Sequence, residues 1–105
     1  LLLPAAPGLP NGLVGPGGKV CVRCPSCTIA RSICRAFGGG VTSTSANPAG
    51  GLPARCLADI SIPGVALGVD GGVLAASPPS TVFDPETGQI VREGSIPKEQ
   101  LTCVL

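Results

Sequence analysis

Histidine, methionine, tryptophan and tyrosine are absent from this 105-residue chain, and phenylalanine occurs only at Phe37 and Phe83. With so few rings, the core has to come from Val, Ile, Leu and Ala, which are plentiful. Without histidine, no zinc-ribbon pattern can be completed with imidazole ligands. The lack of any methionine, with leucine at position 1, leads us to expect a piece of a longer protein. Charge of either sign is scarce. Seven basic and six acidic residues leave a net charge of +1, which gives no electrostatic argument for nucleic acid or an anionic membrane over the whole chain. No run is long and apolar enough to span a bilayer. Leu1-Leu2-Leu3-Pro4 lacks both the basic leader and the continuous apolar stretch of a signal peptide. The expectation is a cytoplasmic protein with no membrane partner. A chain of this length makes one small domain with a modest core, or part of a larger one.

Cysteine, by contrast, is present six times. Cys21, Cys24 and Cys27 form a C-x2-C-x2-C array, followed by Cys34, Cys56 and Cys103. Thiolates at such spacing can share a zinc ion or an iron–sulfur cluster. Against this, Lys19-Val-Cys-Val-Arg-Cys24 alternates like a strand, which sends Cys21 and Cys24 to opposite faces. No second C-x2-C pair follows. A disulfide framework suits a secreted chain, and nothing here indicates secretion. Reduced thiols in small niches are the reading that the residues favour.

Along the chain, Leu1–Pro4 reads as a strand end running into the Pro/Gly-rich loop 4–18. The pattern predicts a strand over 19–24, with Val20 and Val22 on one face and Lys19, Cys21 and Arg23 on the other. Ser26 is placed to cap a helix over 27–37 whose apolar face holds Ile29, Ala30, Ile33, Cys34 and Phe37. Arg31, Ser32 and Arg35 make its wet face, and Gly38-Gly39-Gly40 ends it. A strand over 41–45 would complete a right-handed, parallel βαβ unit. Further expectations are a short helix over 53–60 with an Arg55–Asp59 contact, and an apolar strand over 64–69. A hairpin of 80–84 and 89–93 follows around Pro85-Glu-Thr-Gly88, then a short helix over 97–101.

The stretch Val41-Thr-Ser-Thr-Ser-Ala-Asn47-Pro-Ala-Gly-Gly-Leu-Pro53 holds the densest polar chemistry. If it is extended, Ser43, Ser45 and Asn47 share one face. Pro48 biases Asn47 towards extended backbone. Three short hydrogen-bonding groups in a row suit a small polar ligand, and a Ser/Thr-rich edge strand entering a turn is the plainer alternative.

Taken in order, Val20-Cys-Val-Arg-Cys-Pro-Ser26, Thr42-Ser-Thr-Ser-Ala-Asn-Pro-Ala-Gly50, Asp70-Gly-Gly, Pro79-Ser-Thr-Val82 and Val91-Arg-Glu-Gly94 resemble the YrdC-like threonylcarbamoyl-AMP synthase family. The resemblance runs from residue 1 to about residue 101. It implies an α/β fold, here a partial YrdC-like twisted open mixed sheet with flanking helices whose N-terminal half is missing. Residues 1–105 would be the C-terminal portion of a single domain. It implies a nucleotidyltransferase that makes threonylcarbamoyl-adenylate and pyrophosphate from L-threonine, bicarbonate and ATP, with Mg2+ as the expected ion. A downstream transferase would pass the group to tRNA, with tRNA itself a further potential partner.

By the same resemblance, Arg23, Ser43 and Ser80 match positions that bind L-threonine. Ser45, Asn47 and Arg92 match positions that bind ATP, with Lys19 on the nucleotide side where many relatives carry a small hydroxyl residue. An arginine fork suits the threonine carboxylate. Without the resemblance, Arg23 is a solvated arginine before a turn, Ser80 a strand-start serine and Arg92 a hairpin surface charge. No residue of the set is a general base or nucleophile. That fits a carbamate, formed from threonine and bicarbonate, that itself attacks the α-phosphorus while the protein positions it and neutralises charge. An apolar niche for the threonine methyl would separate it from serine by about 1 kcal/mol.

The family's Lys-x-Arg motif has no counterpart here, and Cys24, Cys27 and Cys56 stand where relatives carry an aliphatic residue, a histidine and a threonine. The expectation is therefore a piece that is inactive or poorly folded alone, with sheet edges prone to association. Two other readings stay open. One is the related domain of a hydrogenase-maturation carbamoyltransferase. The other is a non-catalytic RNA-binding module using Lys19, Arg23, Arg31 and Arg35, with the steep salt dependence that phosphate contacts bring.

Overall fold

The structure, a computed structural model, describes residues 1–102. Cys103 lies outside them. The described residues fall into two compact units: residues 1–24 with 77–102, and Pro25–Ala76. Each is taken by itself.

The first unit carries all the sheet structure among the described residues. Strand β1 (Leu2–Pro4) pairs antiparallel with β2 (Lys19–Cys21), Leu3 opposite Val20. The ladder is prolonged by the Val22 N–H donating to the Leu1 carbonyl at 2.8 Å and the Leu1 ammonium to the Val22 carbonyl at 2.8 Å. Pro4 closes the strand, where a residue without an N–H costs no ladder bond. Strand β2 is shorter than the 19–24 expected, its ladder running only from Lys19 opposite Pro4 to Cys21 opposite Leu2. The 4–18 connection is tightened by 3-10 turns at Asn11–Leu13 and Pro16–Gly18.

The expected hairpin is present. Strand β3 (Val82–Asp84) pairs antiparallel with β4 (Gln89–Arg92) through Pro85–Gly88. A bulge between Val82 and Phe83 breaks the register, so Arg92 faces Val82 while Ile90 faces Phe83. Phe83 and Asp84, each 7% exposed, are the buried side chains among the described residues. Helix α2 (Lys98–Thr102) ends the described chain, one residue later at each end than expected.

The second unit holds helix α1 (Thr28–Phe37) and little other regular structure. Cys27, not Ser26, flanks its start and makes no side-chain cap, and its carbonyl accepts the Arg31 N–H at 3.2 Å. Gly38 ends the helix at φ 82°, with its N–H on the Cys34 and Arg35 carbonyls, a left-handed cap that glycine takes without strain. The apolar face expected of α1 is not covered: Ile33 is 45% and Phe37 72% exposed, while Arg31 is half-buried.

Three expected elements are absent from this unit. Residues 41–45 and 64–69 form no strand, and 53–60 yields one 3-10 turn, Leu57–Asp59, in place of a helix. A strand needs a ladder partner for its backbone groups. None is present in this unit, so the parallel βαβ expectation fails. Both sheets observed are two-stranded and antiparallel. The chain is mixed α/β, but the twisted open mixed sheet is not what its described residues form. Proline at 53 and the Arg55 N–H turned onto the Asp59 carboxylate at 3.0 Å hold the start of the 53–60 stretch out of a helix. No helix among the described residues is long and apolar enough to cross a membrane.

Candidate functional site

Four of the seven expected site residues, Lys19, Arg23, Ser80 and Arg92, belong to the first unit, and Ser43, Ser45 and Asn47 to the second.

In the first unit, the structure brings Ser80 and Arg92 together. The bulge turns the end of β4 so that Arg92 donates from Nε at 3.2 Å and from Nη2 at 2.8 Å to the Ser80 carbonyl. The contact is to main chain, so it fixes the Ser80 peptide and leaves its hydroxyl with no hydrogen bond among the described residues. Ser80 itself is half-buried, and Arg92 keeps Nη1 outside this fork. Arg23 stands just past β2, exposed and without an ion pair among the described residues.

Lys19 is differently placed. Its ammonium lies 2.5 Å from Asp84 Oδ2 and 2.8 Å from Glu86 Oε2. The Asp84 hydrogen bond leads, with Glu86, in holding the Lys19 pKa above its ordinary 10.5. In turn the Lys19 hydrogen bond, aided by the Glu86 N–H at 3.0 Å on Oδ1, holds the Asp84 carboxyl below its ordinary 3.8. The Lys19 charge is thus answered within the protein, which removes it from the basic cluster with Arg23, Arg31 and Arg35.

In the second unit, Ser43 and Ser45 are exposed. The expected row does not run through to Asn47, because Ala46 sits at φ 52° and breaks the extended alternation. Instead the Thr44 hydroxyl accepts the Ala46 N–H at 3.4 Å, and Asn47 folds back over the turn. Asn47 Nδ2 donates to the Pro48 and Gly51 carbonyls, both at 2.9 Å. That orientation leaves Asn47 Oδ1 enclosed with no partner among the described residues. Further on, Asp59 accepts the Arg55 and Cys56 N–H groups, which lower its pKa, while the Arg55 guanidinium donates to the Leu74 carbonyl at 2.8 Å. The expected side-chain contact between Arg55 and Asp59 is therefore a backbone cap instead.

Cysteines 21, 24 and 27 are exposed free thiols, and no group of three His, Cys, Asp or Glu side chains among the described residues can hold a metal ion. A concavity of about 280 Å³ lies along Glu93, Gly94, Ile96, Pro97, Lys98 and Glu99. Two glutamates on its wall make it a poor seat for a polyphosphate.

Asp84, Glu86, Thr81 and Gly94 also build this part of the first unit, outside the set expected from sequence. Asp84 directly before Pro85-Glu-Thr-Gly88 carried an available signal, since an aspartate there caps its own turn. The pairing with Lys19, 65 residues away, had none.

Comparison with known proteins follows the same lines. A family model described as telomere recombination, for Sua5, YciO and YrdC, matches residues 1–94. The threonylcarbamoyl-AMP synthase of Alkalilimnicola ehrlichii is 36% identical over 100 residues, covering 87% of this chain and 51% of the relative. That of Methylococcus capsulatus is 35% identical, covering 87% and 50%, and that of Acinetobacter baylyi 38%, covering 81% and 45%. The chain thus spans about half the length of the curated relatives it matches. No solved structure matches. With nearly the whole sequence under one family model and its motifs in order, the chain belongs to the Sua5/YciO/YrdC family.

Proposed function

We propose that the chain is the C-terminal portion of a threonylcarbamoyl-AMP synthase domain of YrdC-like fold. The observation that carries this is the name shared by relatives at 35–38% identity across more than four-fifths of the chain. The threonine amine condenses with bicarbonate to an N-carboxylate, the carbon–hydroxyl bond of bicarbonate breaking with loss of water. An oxygen of that N-carboxylate attacks the α-phosphorus of ATP, and the bond to pyrophosphate breaks. The product feeds a transferase that modifies tRNA in the cytoplasm.

Roles follow from what each group has left to offer. Arg23, exposed and without an ion pair among the described residues, suits the threonine carboxylate. The Ser80 hydroxyl, held in place through its own peptide, suits a polar group of threonine, and Ser43 is the matching position of the second unit. Arg92 keeps Nη1 for a nucleotide oxygen. Ser45 is a nucleotide contact. Asn47 stays in the nucleotide set on the family resemblance, its amide folded onto the Pro48 and Gly51 carbonyls in the turn after Ser45. Lys19 is left out of the nucleotide set, because Asp84 and Glu86 already hold its ammonium. Mg2+ is expected to arrive with the substrate as its nucleotide complex, held mainly by phosphate oxygens and water.

The test is a graft in which this chain replaces the matching stretch of the Alkalilimnicola ehrlichii synthase. Incubated with L-threonine, bicarbonate and ATP, the graft is expected to yield threonylcarbamoyl-adenylate, identified by mass. A folded graft that makes none contradicts the reading.

A further inference from the structure

Residues 79–81 are gripped from one side by residues 92–96 along their whole length. The Arg92 fork holds the Ser80 carbonyl. The Ser95 N–H donates to the Pro79 carbonyl at 3.1 Å. The Thr81 hydroxyl makes a two-way bond with one residue, donating to the Ile96 carbonyl at 2.7 Å and accepting the Ile96 N–H at 3.1 Å. Between these bonds the two backbones touch at Gly94. A Cβ there would stand 2.1 Å from the Pro79 oxygen, 2.5 Å from the Thr81 nitrogen and 2.6 Å from the Ser80 carbonyl carbon. Those three atoms are main chain and cannot swing aside as a side chain would.

From this geometry we infer that Thr81 and Gly94 are positioning residues for Ser80, and that they set affinity for L-threonine rather than for ATP. This rests on the synthase reading above. The main-chain carbonyls at 79 and 80 and the Thr81 hydroxyl are engaged, while the Ser80 hydroxyl makes no hydrogen bond among the described residues. The clasp therefore fixes where that hydroxyl stands without using it. Gly94 is needed for contact and Thr81 for a group that donates and accepts at once. Valine has the shape of threonine and can do neither, whereas serine can do both. Since the grip acts on the Ser80 peptide, its loss shifts the Ser80 hydroxyl. Displacement of a positioning group by about 1 Å costs up to a hundredfold in rate.

The experiment uses the same graft and follows pyrophosphate release, with thermal melting as a check on folding. Thr81→Val is expected to raise KM for L-threonine about tenfold and leave KM for ATP within about twofold, while Thr81→Ser keeps KM for L-threonine within about threefold. An unchanged KM for L-threonine in a folded Thr81→Val graft overturns the inference, as does an equal rise in both KM values. If Thr81→Val does not fold, Thr81→Ser decides: a tenfold rise in its KM for L-threonine overturns the inference, and retention supports it. A parent graft with no threonine-dependent release defeats the synthase reading and this inference together. Failure confined to the variants defeats this inference alone.

Discussion

The two units differ in how they satisfy their backbones and cover their apolar side chains. In the first, both antiparallel pairs and the Thr81–Ile96 bonds meet the backbone's needs, the Lys19 clasp ties side chains together, and Phe83 is buried. In the second, one ten-residue helix is joined to long irregular segments, with no strand and no buried side chain. Among the described residues, eleven of the sixteen large exposed hydrophobic side chains lie there, from Ile29 and Phe37 to Leu67 and Leu74. Local, antiparallel pairing closes on itself within a short chain, as the hairpin around 85–88 does. A helix and its flanking strands depend on a sheet that this chain does not supply by itself. The lesson is that the ordered half carries Ser80 and Arg92, while the hydroxyl-rich stretch 41–53 sits in the half with least packing.

The sharpest way to break this contrast is at Phe83. Phe83→Ala is expected to cost about 3–5 kcal/mol, the loss typical of a buried ring, and to melt the first unit. Chemical unfolding measures it, and a loss below about 1 kcal/mol means Phe83 is not the core of that unit. The Lys19 clasp comes next and has a pH signature. The Asp84 pKa is lowered, so its contribution is complete above the ordinary 3.8 and fades as pH falls through the lowered value. The Lys19 pKa is raised, so its contribution is complete below 10.5 and fades as pH rises through the raised value. Stability of the parent therefore holds through neutral pH and drops at the acid end. Asp84→Asn should be less stable at pH 7, with the gap to the parent closing in acid. A gap that is constant with pH means the pair does not contribute. The smallest effect is expected at Phe37, 72% exposed, where Phe37→Gln should shift stability by less than about 0.5 kcal/mol. A large loss there would show that the face of α1 is covered in solution, for instance by self-association.

What the sequence made legible follows the same division. The hairpin over 82–92 was readable because Pro85-Glu-Thr-Gly88 states its turn chemistry locally, and α1 because its period and glycine stop are local too. The strand at 41–45 was misread because alternation reports which faces a strand would have, not whether a partner exists. Alternation places Asn47 in one row with Ser43 and Ser45, but Ala46 at φ 52° turns it away from that row and onto its own turn. Arg92 was named for ATP by resemblance. That its fork first grips the Ser80 peptide, and that Gly94 lies against the same segment, is tertiary information that no spacing encodes. The Lys19–Asp84 pair is of the same kind.

Residue-resolved amide hydrogen exchange on the 105-residue chain tests the central contrast most directly. Protection is expected at the ladders of Leu2–Pro4, Lys19–Cys21, Val82–Asp84 and Gln89–Arg92 and at the Ser95 and Ile96 amides. Residues 41–53 and 60–76 are expected to exchange at rates close to those of an unstructured chain. Equal protection across both units, or protection strongest in the 41–53 stretch, would contradict the account.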